Sequence, residues 1–125
     1  MLFTTLQVAL GGAIGAALRY LAGVAVLRVW HGSFPLGVLS VNVVGSFLMG
    51  VFVVLAAKKG LTHWAPFLMT GILGGFTTYS AFSLEAVTLY ERGAFGQAVA
   101  YVALSVALSI GGLITGLWVA RGIWT

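Results

Sequence analysis

The residues best able to do chemistry form a run in the third quarter of the chain: Gly71, Gly74, Gly75, Phe76, Thr77, Thr78, Tyr79, Ser80, Ala81, Phe82 and Ser83. Paired glycines weaken a helix, and clustered hydroxyls offer its backbone alternative partners. We read an interrupted helix here, whose freed carbonyls would be hard oxygen donors suited to an alkali cation. A continuous helix whose hydroxyls bond back to the preceding turn is the alternative the residues leave open. Tyr79 and Phe82 are three positions apart and share a face if helix resumes after the break. Aromatic rings have a positive edge, so the pair could hold an anion weakly, although packing is the commoner use of such spacing. Asn42 brings an amide with two donor hydrogens, able to serve an anion or to bridge helices. Tyr101, Ser105 and Ser109 recur at every fourth residue and put hydroxyls on one helical stripe, which could escort a partly dehydrated anion or bond its own backbone.

The elements that position these groups are membrane helices. The chain has 125 residues, of which 61% are hydrophobic and 6% charged. Soluble domains carry about 25% charged residues, so no solvated globular surface can be built from this composition. A bilayer core about 30 Å thick needs about 20 apolar residues per helical crossing. Four such stretches are read at about 4–28, 36–57, 65–90 and 96–120. They are long continuous apolar runs, unlike the short alternating segments of an outer-membrane barrel. The first span exceeds the apolar core of a cleaved signal and lacks its basic flank, and is read as mature structure. Connections this short leave no room for an extramembrane domain. Function is therefore expected among the helices of one transmembrane domain covering 1–125.

In lipid each polar group is a functional candidate by default. Arg19 and Glu85 lie within spans but toward their ends; snorkelling accounts for Arg19, and lining a wet vestibule would account for both. The net charge of +4 comes from basic residues scattered at helix ends, as in membrane flanks, and does not indicate nucleic-acid binding. Trp30, Trp64, Tyr90, Trp118 and Trp124 fall near span ends, as an interfacial belt does. The chain has no cysteine, which excludes disulfides and thiolate metal sites. His31 and His63 lie in connections without ligand spacing. No paired carboxylate within a span, nucleophile–base set or phosphate loop is present, so no enzyme is indicated.

With four spans, Lys58, Lys59 and Arg121 share one side of the membrane, and Arg28 and Arg92 the other. Orientation follows Lys/Arg asymmetry, and three against two is almost none. A chain with so little bias is expected to insert both ways and to pair as an antiparallel homodimer. Gly11/Gly15, Gly12/Ala16, Gly71/Gly75 and Gly112/Gly116 stand at the small-xxx-small spacing that lets helix backbones approach; most are read as packing faces.

Three groups of residues then resemble the Fluc (CrcB-type) fluoride channels. They are Gly11, Gly12, Ala13, Ala16, Arg19 and Tyr20; Asn42, Gly45, Ser46, Phe47 and Gly50; and the run from Gly71 to Ser83. The match runs in order along the chain, and the third group is the most specific. The resemblance implies an all-α polytopic protein with the third helix broken in mid-membrane, a dual-topology antiparallel homodimer and two pores exporting fluoride passively from microbial cells. It implies a structural Na+ ion at the dimer centre, held by backbone carbonyls of Gly74 and Thr77. It places Asn42, Tyr79, Phe82, Tyr101, Ser105 and Ser109 along the pore, and Arg19 and Glu85 in the vestibule. The departures are Tyr79 and Ala81, where the family usually has phenylalanine and threonine; a tyrosine keeps the ring edge and adds a hydroxyl. The rival reading is a small dual-topology multidrug or cation exporter. Its proton coupling needs a membrane-embedded acid, typically on the first helix, which has none here.

Overall fold

In the computed structural model, residues 1–124 are described. Four helical spans long and apolar enough to cross a membrane follow one another: Leu2–Val29, Leu36–Lys59, Thr62–Glu91 and Phe95–Trp124. They make an integral membrane protein whose outer surface is hydrocarbon, with Leu6, Leu10, Leu21, Leu84, Ile110 and Ile114 among many exposed large apolar residues. The first and second spans are single helices, α1 (Leu2–Val29) and α2 (Leu36–Lys59).

The third span is composite. A 3-10 turn (Thr62–Trp64) leads into a π-helical segment (Pro66–Leu73), which opens with proline, and then a single α turn, α3 (Gly74–Phe76). After the interruption, α4 (Tyr79–Glu91) completes the span, and α5 (Phe95–Trp124) forms the fourth. Two turns owe their sharpness to left-handed glycines, Gly60 at φ 67° and Gly93 at φ 81°. Leu61 N–H returns to the Ala56 carbonyl at 2.9 Å and Ala94 N–H to the Leu89 carbonyl at 3.0 Å, closing the exposed carbonyls of α2 and α4.

Glycines decide which helices touch. Gly11 and Gly15 of α1 lie against the π segment and α3, where a Cβ on Gly15 would land on the Ile72 carbonyl oxygen and one on Gly75 would lie 2.6 Å from the Gly12 carbonyl oxygen. Between α2 and α5, a Cβ on Gly50 would strike the Leu113 carbonyl and one on Gly116 the Phe47 carbonyl. With hydrocarbon on both sides of the comparison, helices gain little from the hydrophobic effect, and close backbone approach supplies the attraction. The molecule is thus two tight pairs, α1 with the first half of span three and α2 with α5.

The second half of span three changes partner. Leu89 of α4 is buried with Leu39 of α2 and Ala98 and Tyr101 of α5, so α4 leans on α5 while α3 leans on α1. The interruption between them is where the span crosses from one pair to the other. It is narrower than the run from Gly71 to Ser83 in which an interruption is expected: Gly74 has helical torsions, φ −63° and ψ −37°, and only Thr77 (−86°, 159°) and Thr78 (−151°, 123°) are extended. Gly75 remains helical and makes room for α1; the backbone change belongs to the two threonines.

Candidate functional site

Extended backbone at this depth must find partners inside the protein, and three side chains supply them. Asn42 spans the break like a missing strand, accepting from Thr78 N–H through Oδ1 at 2.7 Å and donating from Nδ2 to the Thr78 carbonyl at 2.9 Å. Thr77 turns its Oγ1 and N–H back to the Leu73 carbonyl at 2.9 and 3.0 Å, closing the first half-helix. Thr78 Oγ1 accepts from Ala81 N–H at 3.2 Å and caps the second. Gly45 on α2 leaves room for the break, since a Cβ there would meet the Thr77 methyl group. The amide therefore bridges helices and retains a second N–H.

This rearrangement determines which carbonyls are free to act. In a continuous helix the Gly74 carbonyl would accept from Thr78 N–H and the Thr77 carbonyl from Ala81 N–H. Both donors are instead committed to side chains, Asn42 and Thr78. The Gly75 carbonyl accepts from Arg19 Nε at 3.0 Å, so Arg19 reaches inward to the break rather than outward to an interface.

A cleft of about 380 Å³ opens beside the break, and Asn42, Ser46, Thr77, Thr78, Tyr79, Phe82, Ser105 and Ser109 contribute to its wall. Tyr79 lies at its mouth, 79% exposed. The rings continue inward, Tyr79 to Phe82 at 5.5 Å and 61°, then Phe82 to Tyr101 at 5.4 Å and 37°. Tyr101 is 0% and Ser105 5% exposed. Tyr101 Oη and Ser105 Oγ are both buried without a hydrogen-bond partner. Most buried polar groups are paired, so two neighbouring hydroxyls on one stripe that make no well-formed hydrogen bond leave capacity for an external acceptor. By contrast, Thr115 and Ser83 spend their hydroxyls on the carbonyls of Gly111 and Tyr79.

Arg19 and Glu85 line a second, wider cleft of about 520 Å³ between α1, α2, α4 and the first connection. They meet in one cavity without forming an ion pair, Arg19 being turned to the Gly75 carbonyl. Two further residues line this cleft that the sequence did not single out. Arg92, which stands among the basic residues at helix ends, contributes a second cation, and Phe34, in the first connection, contributes a ring. Their signal is weak: Arg92 is one of several basic residues at helix ends, and Phe34 is an aromatic lodged between Ser33 and Pro35. The sites named from the sequence thus divide between two clefts, with Tyr101 between them touching Phe82 on one side and Phe34 on the other.

Residues 6–117 match the family described as CrcB-like protein, Camphor Resistance (CrcB). A fluoride-specific ion channel FluC of Ruegeria sp. (strain TM1040) is 67% identical, with all of both chains covered. Proteins of the same description are 63% identical in Roseobacter denitrificans, covering 94% of each chain, and 52% identical in Paracoccus denitrificans, covering 99% of each. Family match and whole-length identity agree: the chain belongs to the CrcB family, whose members are ion channels and not enzymes.

Proposed function

We propose that the protein is a fluoride-selective channel of the cell membrane that exports fluoride passively and so relieves its toxicity. The observation that carries this reading is the neighbouring pair of buried hydroxyls of Tyr101 and Ser105, neither of which makes a well-formed hydrogen bond. Fluoride is a small, strongly hydrated hydrogen-bond acceptor, and a pore that conducts it must replace water with several modest donors rather than one strong trap. Tyr101 Oη, Ser105 Oγ, Ser109 Oγ and the remaining Asn42 N–H can donate such bonds. The edges of Tyr79 and Phe82 add weak positive potential without a full charge. Arg19 and Glu85 belong to the vestibule, where Arg19 favours anions at the entrance. The full-length relatives named as fluoride-specific channels support the choice of ion.

The working unit on this reading is an antiparallel homodimer with two pores, one chain being half of the device. The cleft holding Asn42, Ser105 and Ser109 opens to the outside of the single chain, where lipid would be a poor neighbour for polar groups. A second copy would cover it, and the nearly balanced basic flanks suit copies inserted in opposite directions. A structural Na+ fits the break, because the Gly74 and Thr77 carbonyls have lost their helical donors to Asn42 and Thr78. When bound, it would add a fixed positive charge and tie the two interrupted spans together; it is not transported.

Liposomes loaded with fluoride test the reading. Purified protein should give electrogenic fluoride efflux with negligible chloride passage. A folded preparation that passes no fluoride overturns it.

A further inference from the structure

The two clefts share one wall residue, Thr78. Phe82 lines the narrower one and Phe34 the wider one, while Tyr101, fully buried, lines neither and has a ring against each. The Phe34 and Tyr101 rings meet at 5.7 Å and 85°, an edge contact. The Phe34 ring therefore stands between the wide cleft and Tyr101.

Phe34 is also held more firmly than a connecting residue needs to be. Its carbonyl accepts from Trp30 Nε1 at 2.8 Å and from Leu36 N–H at 2.9 Å. Pro35 restricts the preceding backbone to extended conformations. Ser33 Oγ donates to Gln97 Oε1 at 3.1 Å, tying the connection to the start of α5. The ring is held as well, packed against the buried cluster of Leu39, Leu89, Ala98 and Tyr101.

Resting on the fluoride-channel reading, we propose that Phe34 is a specificity-determining residue of the pore, the inner ring of the vestibule that closes the hydroxyl track to water and larger anions while presenting its edge to fluoride. Ring edges can stabilise an anion, and apolar constrictions hold back hydrated ions by dewetting. The first connection, short and outside the apolar spans, thereby contributes to the filter.

The test compares wild type with Phe34→Leu and Phe34→Ala in liposomes, using protein that elutes at the wild-type size and measuring fluoride and chloride efflux together. Leucine keeps most of the volume and packing but has no ring edge, and should lower fluoride flux about ten-fold, on the order expected from losing one aromatic-edge contact. Alanine should open the constriction and give measurable chloride efflux, which a purely packing role would not produce. If Phe34→Ala does not fold, Phe34→Leu alone decides. Wild-type flux and selectivity in the folded variants overturn the role of Phe34 and leave the channel reading intact. A wild type that conducts no fluoride overturns both.

Discussion

Tyr101 and Ser105 hold neighbouring hydroxyls inside the bundle without a well-formed hydrogen bond, and a buried unsatisfied group costs about 1–3 kcal/mol. Removing them separates stability from conduction. Tyr101→Phe and Ser105→Ala should leave thermal stability in detergent nearly unchanged, because each deletes a buried hydroxyl that makes no well-formed hydrogen bond. On the proposed pathway the same changes should lower fluoride flux several-fold in liposomes; unchanged flux would take both hydroxyls out of the track. Asn42 has the opposite profile. Its amide satisfies both backbone groups of Thr78, so Asn42→Leu strands a donor and an acceptor and should cost about 2 kcal/mol or more, read as a fall in unfolding temperature. Asn42→Asp keeps an acceptor for Thr78 N–H and should destabilise less, yet its negative charge beside an anion path should abolish flux. Loss of flux in the leucine variant alone would assign Asn42 to the break and not to the path. The choice between anion donor and helix bridge was open from residue type; only the position of Thr78 shows that the amide bridges.

At the scale of elements, glycines that look alike in the sequence do different work. Gly12 and Gly15 stand three positions apart on α1, but a Cβ on Gly12 would meet nothing within 4 Å while one on Gly15 would overlap the Ile72 carbonyl. Gly15→Ala should therefore push α1 away from the third span and cost about 1–3 kcal/mol. Gly12→Ala should be neutral or gain up to about 1 kcal/mol from helix propensity. Thermal unfolding of the two variants in the same detergent checks the contrast, and equal effects would remove the close approach as the source of α1 packing. The four spans were legible because length and apolarity alone define a crossing. The interruption of the third was legible as a region, through its glycines and hydroxyls, but its position was not. Gly74 and Gly75 looked like the weak point and are helical, because α1 packs against that turn and favours a regular surface there. The two β-branched threonines break instead, since Asn42 and the Thr78 hydroxyl take the donors that would continue the helix. That exchange joins residues 36 positions apart, a contact that local spacing does not encode. Phe34 was hidden for a related reason: in a connection, an aromatic carries no periodicity to show which helix it will meet.

For the molecule as a whole, the distribution of charge matters more than any contact within one chain. Lys58, Lys59 and Arg121 stand against Arg28 and Arg92, a bias too small to fix one orientation if basic flanks decide insertion. A single labelled terminus should react from both faces of the cell membrane in the wild type, and labelling from one face only would reject dual topology. Arg28 lies outside both clefts, so Arg28→Gln can tilt the balance without touching the path. It leaves three basic residues against one and should move most chains to the orientation with both termini inside. The double variant Lys58→Gln with Lys59→Gln leaves one against two and should favour the reverse. A channel built from opposed copies should lose most of its fluoride flux in cells that make either variant alone and recover it when the two are made together. A channel of parallel copies, or of one chain, would show no such rescue, because neither variant would need the other to complete the polar cleft beside Asn42.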